Sequence, residues 1–197
     1  MKQKRIVQIE RKTKETKIKL ELNLEGSGKS DVKTGIGILD HMLDLWTFHG
    51  LFNLKLTCKG DLEIDTHHTT EDIAIALGSA LDEAVGEKKG IVRYGFSYVP
   101  MDEALLRVAL DLSGRPEFVF SGEFFQSSIG ILNTQMIRHY FKSLAMSSRM
   151  TLHMSILYGI NDHHKCEGLF KALGKALRQA VEIDPRRIGV ASSKGIL

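Results

Sequence analysis

The chain has 197 residues, of which 43% are apolar and 26% are charged, a balance typical of globular domains. A formal net charge of only +3 argues against a nucleic-acid partner, and no apolar run approaches the roughly 20 residues of a membrane helix. Two distant cysteines, Cys58 and Cys166, and no apolar leader near the first residues predict a cytoplasmic protein without disulfides.

The first elements in chain order predict a small unit of strands and helices. Apolar residues alternate over 18–24 and over 51–60, a pattern typical of half-buried strands. Between them, 38–50 has the pattern of a helix and contains His41. Over 71–85, apolar residues recur at helical spacing, which predicts a second helix with one apolar face.

The second part of the chain predicts the same elements in the same order. Strand patterns cover 106–112 and 149–159. A helical pattern over 133–148 contains His139, and a helical stripe covers 167–181.

These parallels extend to the residues themselves. Aligning 67–85 with 163–181, at a constant offset of 96, gives identical residues at ten of nineteen positions. The strand-bearing segments 15–26 and 103–114 also align, but at a different offset, so the loops differ in length. The chain is therefore predicted to contain an internal repeat.

The repeat predicts an α+β fold of two similar halves. Each half would be a small, mostly antiparallel sheet with two helices on one face. The boundary would fall near the segment GEKKG, so that the halves span 1–90 and 91–197 and together form one functional unit.

The pentad His-His-x-x-Glu occurs twice, as HHTTE at 67–71 and as HHKCE at 163–167. On a helix, the His–Glu spacings of three and four share one face, whereas adjacent histidines diverge by about 100°. Each pentad therefore suits two ions better than one, and an upstream His in each half completes two equivalent ligand sets. The sets are His41, His67, His68 and Glu71 in the first half, and His139, His163, His164 and Glu167 in the second.

A capped helix start with surface histidines is the alternative for a single pentad, but the duplication with a matching upstream His favours metal. Three imidazoles and one carboxylate per ion suit Mn, Fe or Zn better than Ca. His49 and His153 lack such partners and are predicted to be ordinary hydrogen-bonded histidines. Which His of each pair serves which ion stays open.

The segments TGIGILDHML, DTHHTTEDIAIALG, VPMDEAL, DLSGRP and DHHKCEGLFKALGKAL together resemble the imidazoleglycerol-phosphate dehydratase family, over nearly the whole chain. The resemblance implies a hydro-lyase of histidine biosynthesis that converts D-erythro-imidazole glycerol phosphate to imidazole acetol phosphate. It further implies a fold like ribosomal protein S5 domain 2 and two Mn(II), or other divalent ions, per active site. The resemblance also implies a 24-subunit assembly whose active sites lie between subunits.

The resemblance also assigns roles to residues at matching positions. Glu15 would be the acid/base group, and His68 and His164 would join catalysis as metal ligands. Asp102 is a weaker candidate for positioning water, and whether Glu15 or a metal-bound water is the main base stays open. The small-molecule phosphate substrate would contact Glu15, Arg93, Arg115, Lys171, Ser193 and Lys194.

The chemistry implied by the resemblance explains the need for metal. The proton that leaves is not acidic, so a direct elimination would be slow. Metal on a ring nitrogen would favour the imidazolate, which can expel the hydroxyl and give a diazafulvene intermediate with an acidified neighbouring C–H.

Two other functions compete with this lyase. A di-metal hydrolase such as a phosphoesterase would use a bridging hydroxide, but it usually needs more carboxylates than the two in the pentads. A metal-storage shell would also suit a hollow assembly, but it leaves Glu15, Arg93, Arg115 and the tail SSKG without a purpose.

Overall fold

The first half folds as a four-stranded sheet with two helices. The computed structural model describes residues 5–196. The strands have the order β1-β2-β4-β3, in which β1, β2 and β4 are antiparallel neighbours and β3 pairs parallel to β4. The element bounds are β1 Ile6–Lys12, β2 Thr16–Asn23, β3 Lys29–Lys33, α1 Gly37–Gly50, β4 Asn53–Gly60 and α2 His67–Val85.

The second half repeats this arrangement, with the strand order β5-β6-β10-β7. Its elements are β5 Tyr94–Met101, β6 Ala104–Asp111, β7 Glu117–Ser121, β8 Ser128–Ile129, β9 Leu132–Asn133, α3 Thr134–Ser147, β10 Thr151–Tyr158 and α4 Asp162–Val181. The hairpin of β8 and β9 has no counterpart in the first half and lengthens the connection to α3, so the alignment offset changes there. The predicted α+β fold of two similar halves is confirmed, and the predicted boundary at residue 90 lies between α2 and β5.

Alternation along the strands puts one face of each sheet under its helices. In β2 the side chains of Ile18, Leu20 and Leu22 are buried, whereas Lys17 and Lys19 on the opposite face are exposed. The buried apolar side chains of both halves form a single cluster, so the two sheets share one core. Within residues 5–196, no helix is both long enough and apolar enough to cross a membrane.

Helices from different halves pack against each other, α1 against α4 and α2 against α3. Glycine makes both approaches close. A Cβ on Gly78 of α2 would lie 2.8 Å from the carbonyl oxygen of Leu144 in α3. A Cβ on Gly174, the repeat counterpart in α4, would lie 2.5 Å from the carbonyl oxygen of Trp46 in α1. Any larger residue would therefore push the paired helices apart.

We expect the Gly174→Ala variant to lower the free energy of unfolding by about 1–3 kcal/mol, because the added methyl group overpacks the crossing of α4 with α1. Gly37→Ala, in the first turn of α1, is the matched control. Apart from its chain neighbours and the backbone of its own helix, no atom of residues 5–196 lies within 4 Å of a Cβ at position 37, so this change should be neutral or stabilise by up to about 1 kcal/mol. Urea unfolding followed by circular dichroism measures both, and equal effects would contradict a tight crossing.

Candidate metal centre

The first group of convergent ligands lies between α1 and α4 and is called the α1–α4 cluster: His41, His163 and Glu167. Nε2 of His41 lies 3.5 Å from Oε2 of Glu167, and Nε2 of His163 lies 3.2 Å from the same oxygen. The two imidazole rings stack with centroids 5.7 Å apart. All three side chains therefore present a ligand atom to one small volume.

The second group lies between α2 and α3 and is called the α2–α3 cluster: His67, Glu71 and His139. Nε2 of His67 is 3.5 Å from Oε2 of Glu71, and Nε2 of His139 is 3.2 Å from Oε1. In the described part of the chain, Nε2 of His139 is buried and has no hydrogen-bond partner. A buried nitrogen without a partner is costly, and a cation in the cluster would satisfy it.

Each cluster mixes ligands from both halves of the chain. His41, which lies upstream of the first pentad, meets the pentad of the second half. His139 meets the pentad of the first half in the same way. Ligands from the two halves meet because each upstream helix crosses the pentad helix of the other half.

The remaining pentad histidines, His68 and His164, are members of neither cluster. Nδ1 of His68 lies 2.9 Å from Oδ2 of Asp61, and Nδ1 of His164 lies 2.7 Å from Oε2 of Glu103. Hydrogen bonding to these carboxylates raises the pKa of both histidines. With Nδ1 held as a donor, Nε2 of each ring is the atom left to bind an ion, the usual arrangement of metal-ligating histidines.

Acidic side chains face Nε2 of these two histidines. Oε1 of Glu15 lies 3.8 Å from Nε2 of His68, and Oδ2 of Asp102 lies 3.8 Å from Nε2 of His164. Adjacent histidines in each pentad thus face different partners, as their divergence predicts. The other two histidines, His49 and His153, belong to neither cluster.

Side chains that precede each pentad set the start of its helix. Oδ1 of Asn161 accepts hydrogen bonds from the backbone N–H of His163 and of His164, at 2.9 and 3.4 Å. Oδ1 of Asp65 accepts one from the N–H of His67 at 2.6 Å. These bonds satisfy N–H groups that the first turn of a helix leaves free and fix where each pentad begins.

A buried ion pair fastens the neighbouring loop to the start of α4. Nζ of Lys165 lies 2.8 Å from Oδ1 of Asp162, and both side chains are 1% exposed. Oδ2 of Asp162 accepts hydrogen bonds from the N–H groups of Phe125 and Gln126, at 2.7 and 2.6 Å. Since a buried charge is tolerated only with such partners, the loop before β8 is held close to the second pentad.

The electrostatic environment of Glu167 keeps it charged. Burial alone would raise its pKa, but hydrogen bonds from Lys171, His41 and His163 outweigh burial and hold the pKa below its ordinary value. Nζ of Lys171 lies 2.5 Å from Oε1 of Glu167. The cluster thus contains a carboxylate ready to accept a cation, and Lys171 lies one helical turn away.

Arg93, predicted to bind substrate, is buried and engaged within the chain. Its Nε and Nη2 donate to the carboxylate of Asp111, at 2.6 and 2.8 Å, and its Nη1 donates to the carbonyl oxygen of Ala191 at 2.6 Å. The guanidinium therefore anchors the C-terminal tail that carries Ser193 and Lys194, both of which are exposed. Arg115 is also exposed, and substrate binding by these residues stays a prediction.

Two functional carboxylates were missed or misjudged from the sequence. Asp61, which orients His68, lies in a loop and has no repeat partner that could have signalled it. Glu103 aligns with Glu15 in the repeat, and its role differs: Oε1 accepts hydrogen bonds from the N–H groups of Ile160 and Asn161. The latter bond and the one with His164 lower the pKa of Glu103 to about 2.

The donor set fits a divalent transition-metal ion. Each cluster offers two imidazole nitrogens and a carboxylate, with ligand atoms within 4.8 Å of one another. Imidazole with carboxylate suits Mn, Fe or Zn, whereas Ca would require more oxygens. Three ligands per cluster leave coordination positions for another residue, for water or for a substrate.

Comparison with known proteins gives a consistent result. The family model described as "Imidazoleglycerol-phosphate dehydratase" matches residues 34–177. Two relatives with the same description come from Clostridium botulinum, 53% identical over 192 residues, and Roseiflexus sp., 55% identical over 194 residues. Both alignments cover 98% of this chain and 98% of the relative.

Solved structures agree with the sequence comparison. The crystal structure of imidazoleglycerol-phosphate dehydratase from Staphylococcus aureus superposes with a TM-score of 0.83 and 36% identity, covering 91% of this chain and 99% of that one. The enzyme from Pyrococcus furiosus gives a TM-score of 0.82 and 36% identity, covering 96% and 100%.

Proposed function

We propose how the site works in this chain, which belongs to the imidazoleglycerol-phosphate dehydratase family. The reaction is the dehydration of imidazoleglycerol phosphate to imidazole acetol phosphate, a lyase step of histidine biosynthesis. Membership in this family favours neither of the two competing functions, a di-metal hydrolase and a metal-storage shell. The metal, the partner chains and the roles of individual residues are the proposal.

We propose that two divalent ions per active site bind at the two clusters, with Mn(II) as the first choice of metal. The observation that carries this proposal is the pair of equivalent clusters, in one of which the buried Nε2 of His139 lies 3.2 Å from Oε1 of Glu71 but has no hydrogen-bond partner within residues 5–196. His41, His163 and Glu167 would hold one ion, and His67, Glu71 and His139 the other. Bound ions would supply Lewis acidity toward the imidazole ring of the substrate.

Neighbouring chains are proposed to complete each site. Nε2 of His68 and of His164 belongs to neither cluster of its own chain, while Nδ1 is held by a carboxylate. These two histidines would therefore serve as ligands for the clusters of an adjacent copy. Such mutual donation favours a closed, symmetric assembly, for which we propose the 24-subunit particle of the family.

Glu15 is the proposed acid/base group, and the repeat offers a direct comparison. Its counterpart Glu103 is fixed by two backbone N–H groups and by His164, which hold it ionised. Glu15 has a half-exposed carboxylate, whose one ion-pair contact within residues 5–196 is with Nε2 of His68 at 3.8 Å. A free carboxylate beside the metal ligands can take the proton from the carbon next to the one that loses its hydroxyl. It can then give a proton to the carbon that lost the hydroxyl, when the enol becomes the ketone.

The phosphate of the substrate is proposed to bind cations near the tail. Lys171 and Arg115 would donate to the phosphate oxygens together with Ser193 and Lys194. Arg93, with three of its donors already used, would act chiefly by holding the tail in place. A cytoplasmic location is also proposed, because Cys58 and Cys166 are both free thiols.

The His139→Ala and His67→Ala variants should lose the same share of bound Mn(II), because both side chains belong to the α2–α3 cluster. The double variant should lose no more than either single variant. Inductively coupled plasma mass spectrometry of dialysed protein measures the metal content. His153→Ala is the control and should keep the full content, and additive losses in the double variant would contradict a shared ion.

The Glu15→Gln variant should lower kcat for dehydration by about 10²- to 10⁴-fold, the usual contribution of general acid–base catalysis. Its Mn(II) content should not change, since Glu15 belongs to neither cluster. Glu10→Gln is the matched control, because Glu10 is an exposed glutamate of the preceding strand paired with Lys19. Wild-type kcat in the Glu15→Gln variant would refute the assigned role.

Co-expression of His68→Ala chains with His163→Ala chains should restore part of the activity that each variant lacks alone. Some sites would then combine the intact α1–α4 cluster of one chain with the intact His68 of its neighbour. Tagged copies purified as mixed particles would be assayed with imidazoleglycerol phosphate and Mn(II). If sites were complete within one chain, mixing two inactive chains would restore nothing.

A further inference from the structure

The turn between β1 and β2, which carries Glu15, is anchored to α2 by one buried carboxylate, that of Asp72. Asp72 is the residue of α2 that directly follows Glu71 and is 7% exposed. Its Oδ1 accepts hydrogen bonds from Nε and Nη2 of Arg11 at 3.0 and 2.7 Å. Its Oδ2 accepts them from the hydroxyls of Thr16 and Thr13, at 2.5 and 3.4 Å. One side chain thus grips both strands of the β1–β2 hairpin.

The same network defines the backbone conformation of the turn. Oγ1 of Thr13 accepts hydrogen bonds from the N–H of Glu15 at 3.1 Å and from the N–H of Thr16 at 2.9 Å. The N–H of Thr13 donates to the carbonyl oxygen of Thr16 at 2.9 Å. The backbone of Glu15 is therefore fixed by Thr13, and Thr13 is in turn held by Asp72.

The Glu15 carboxylate itself has little to hold it. Its side chain is 50% exposed, and its one ion-pair contact among residues 5–196 is with Nε2 of His68, at 3.8 Å. Since few contacts hold the Glu15 side chain, the backbone position of the turn determines where its carboxylate lies. Adjacent residues of α2 thus have two tasks: Glu71 faces the α2–α3 cluster, and Asp72 faces the hairpin.

Comparison of the two hairpins indicates that this network serves Glu15 and is not required by the fold. The counterparts of Arg11, Thr13 and Thr16 are Val99, Met101 and Ala104, and the counterpart of Asp72 is Gly168. A Cβ on Gly168 would lie 2.1 Å from the side chain of Leu106, so Leu106 occupies the space that a side chain would need there. The second hairpin forms without any of these polar groups, and its glutamate, Glu103, is bound directly instead.

We propose that Asp72 is a positioning residue for the dehydration, because its buried carboxylate, through Arg11, Thr13 and Thr16, fixes the turn that aims Glu15 at the metal ligands. The proposal rests on the acid/base role of Glu15 given above. Asp72 contacts neither substrate nor metal in this scheme and acts only through the hairpin.

The test is a double-mutant cycle on the full-length, Mn(II)-loaded protein. Asp72→Asn should lower kcat by about 10- to 100-fold, the effect of a misplaced catalytic group, while KM and metal content stay near wild type. In the Glu15→Gln background, Asp72→Asn should have no further effect, since the group it positions is already disabled. An equal loss of kcat in both backgrounds would overturn the proposal.

Hydrogen exchange of the turn gives a readout that does not depend on activity. The amides of residues 13–16 should exchange faster in Asp72→Asn than in wild type. Asp82→Asn, which removes a half-exposed carboxylate of the same helix paired with Lys88 at 3.6 Å, is the matched control and should leave them unchanged. Unchanged protection in Asp72→Asn would refute the proposal, whereas a fully active Glu15→Gln variant would refute the role of Glu15 and leave the exchange result standing.

A milder pair of variants guards against loss of folding. Thr16→Ser keeps the hydroxyl that donates to Asp72, and Thr16→Val removes it with nearly the same shape. Thr16→Val should lower kcat when Glu15 is intact but not in the Glu15→Gln background. Thr16→Ser should keep kcat near the wild-type value. Equal kcat for these two variants would show that the hydroxyl does not position Glu15.

Discussion

The close crossings of α2 with α3 and of α4 with α1 are the constraint on which the site depends. Both form at glycines, Gly78 and Gly174, where the facing backbone occupies the space of a side chain. Each glycine lies seven residues, about two turns, after a pentad glutamate, on the same helix face. Contact at the glycine therefore also sets how closely Glu71 and Glu167 approach the imidazole of the facing helix. A wider crossing would leave each pentad with a single His–Glu pair, too few ligands for a stable site.

The two halves share one scaffold but differ in how they hold two equivalent glutamates. Both halves keep the strand order, the glycine crossing and the three-residue cluster. They differ around Glu15 and Glu103, which occupy matching places in the repeat. In the second half, the carboxylate of Glu103 is engaged in hydrogen bonds with His164 and with backbone N–H groups. In the first half, Asp61 orients His68 instead, which leaves Glu15 free. The presence of Gly168 at the position equivalent to Asp72 agrees with this difference. Glu103 is held by direct hydrogen bonds, so its turn needs no hydrogen-bond network like that of Asp72.

Much of the fold was predictable because its signals are local. The helix predicted over 38–50 corresponds to Gly37–Gly50, and that over 133–148 to Thr134–Ser147. The strand β3, Lys29–Lys33, was not located, because KSDVK contains one apolar residue and lies at a sheet edge. Its pairing partner, β4, follows only after α1, and a parallel pair so far apart leaves no periodic signal in a single segment.

The candidate ligand types, their spacing and the repeat can be predicted from residue order, since i, i+4 geometry on a helix follows from the backbone alone. Family resemblance added the reaction. The meeting of His41 with Glu167 and of His139 with Glu71, across the halves rather than within them, can be known only from the packed fold. The reason is physical: which helices cross depends on how two sheets bury their apolar faces in one shared core. The roles of Asp61 and Asp72 were hidden for the same reason, because each acts on a side chain or turn brought near only by that packing.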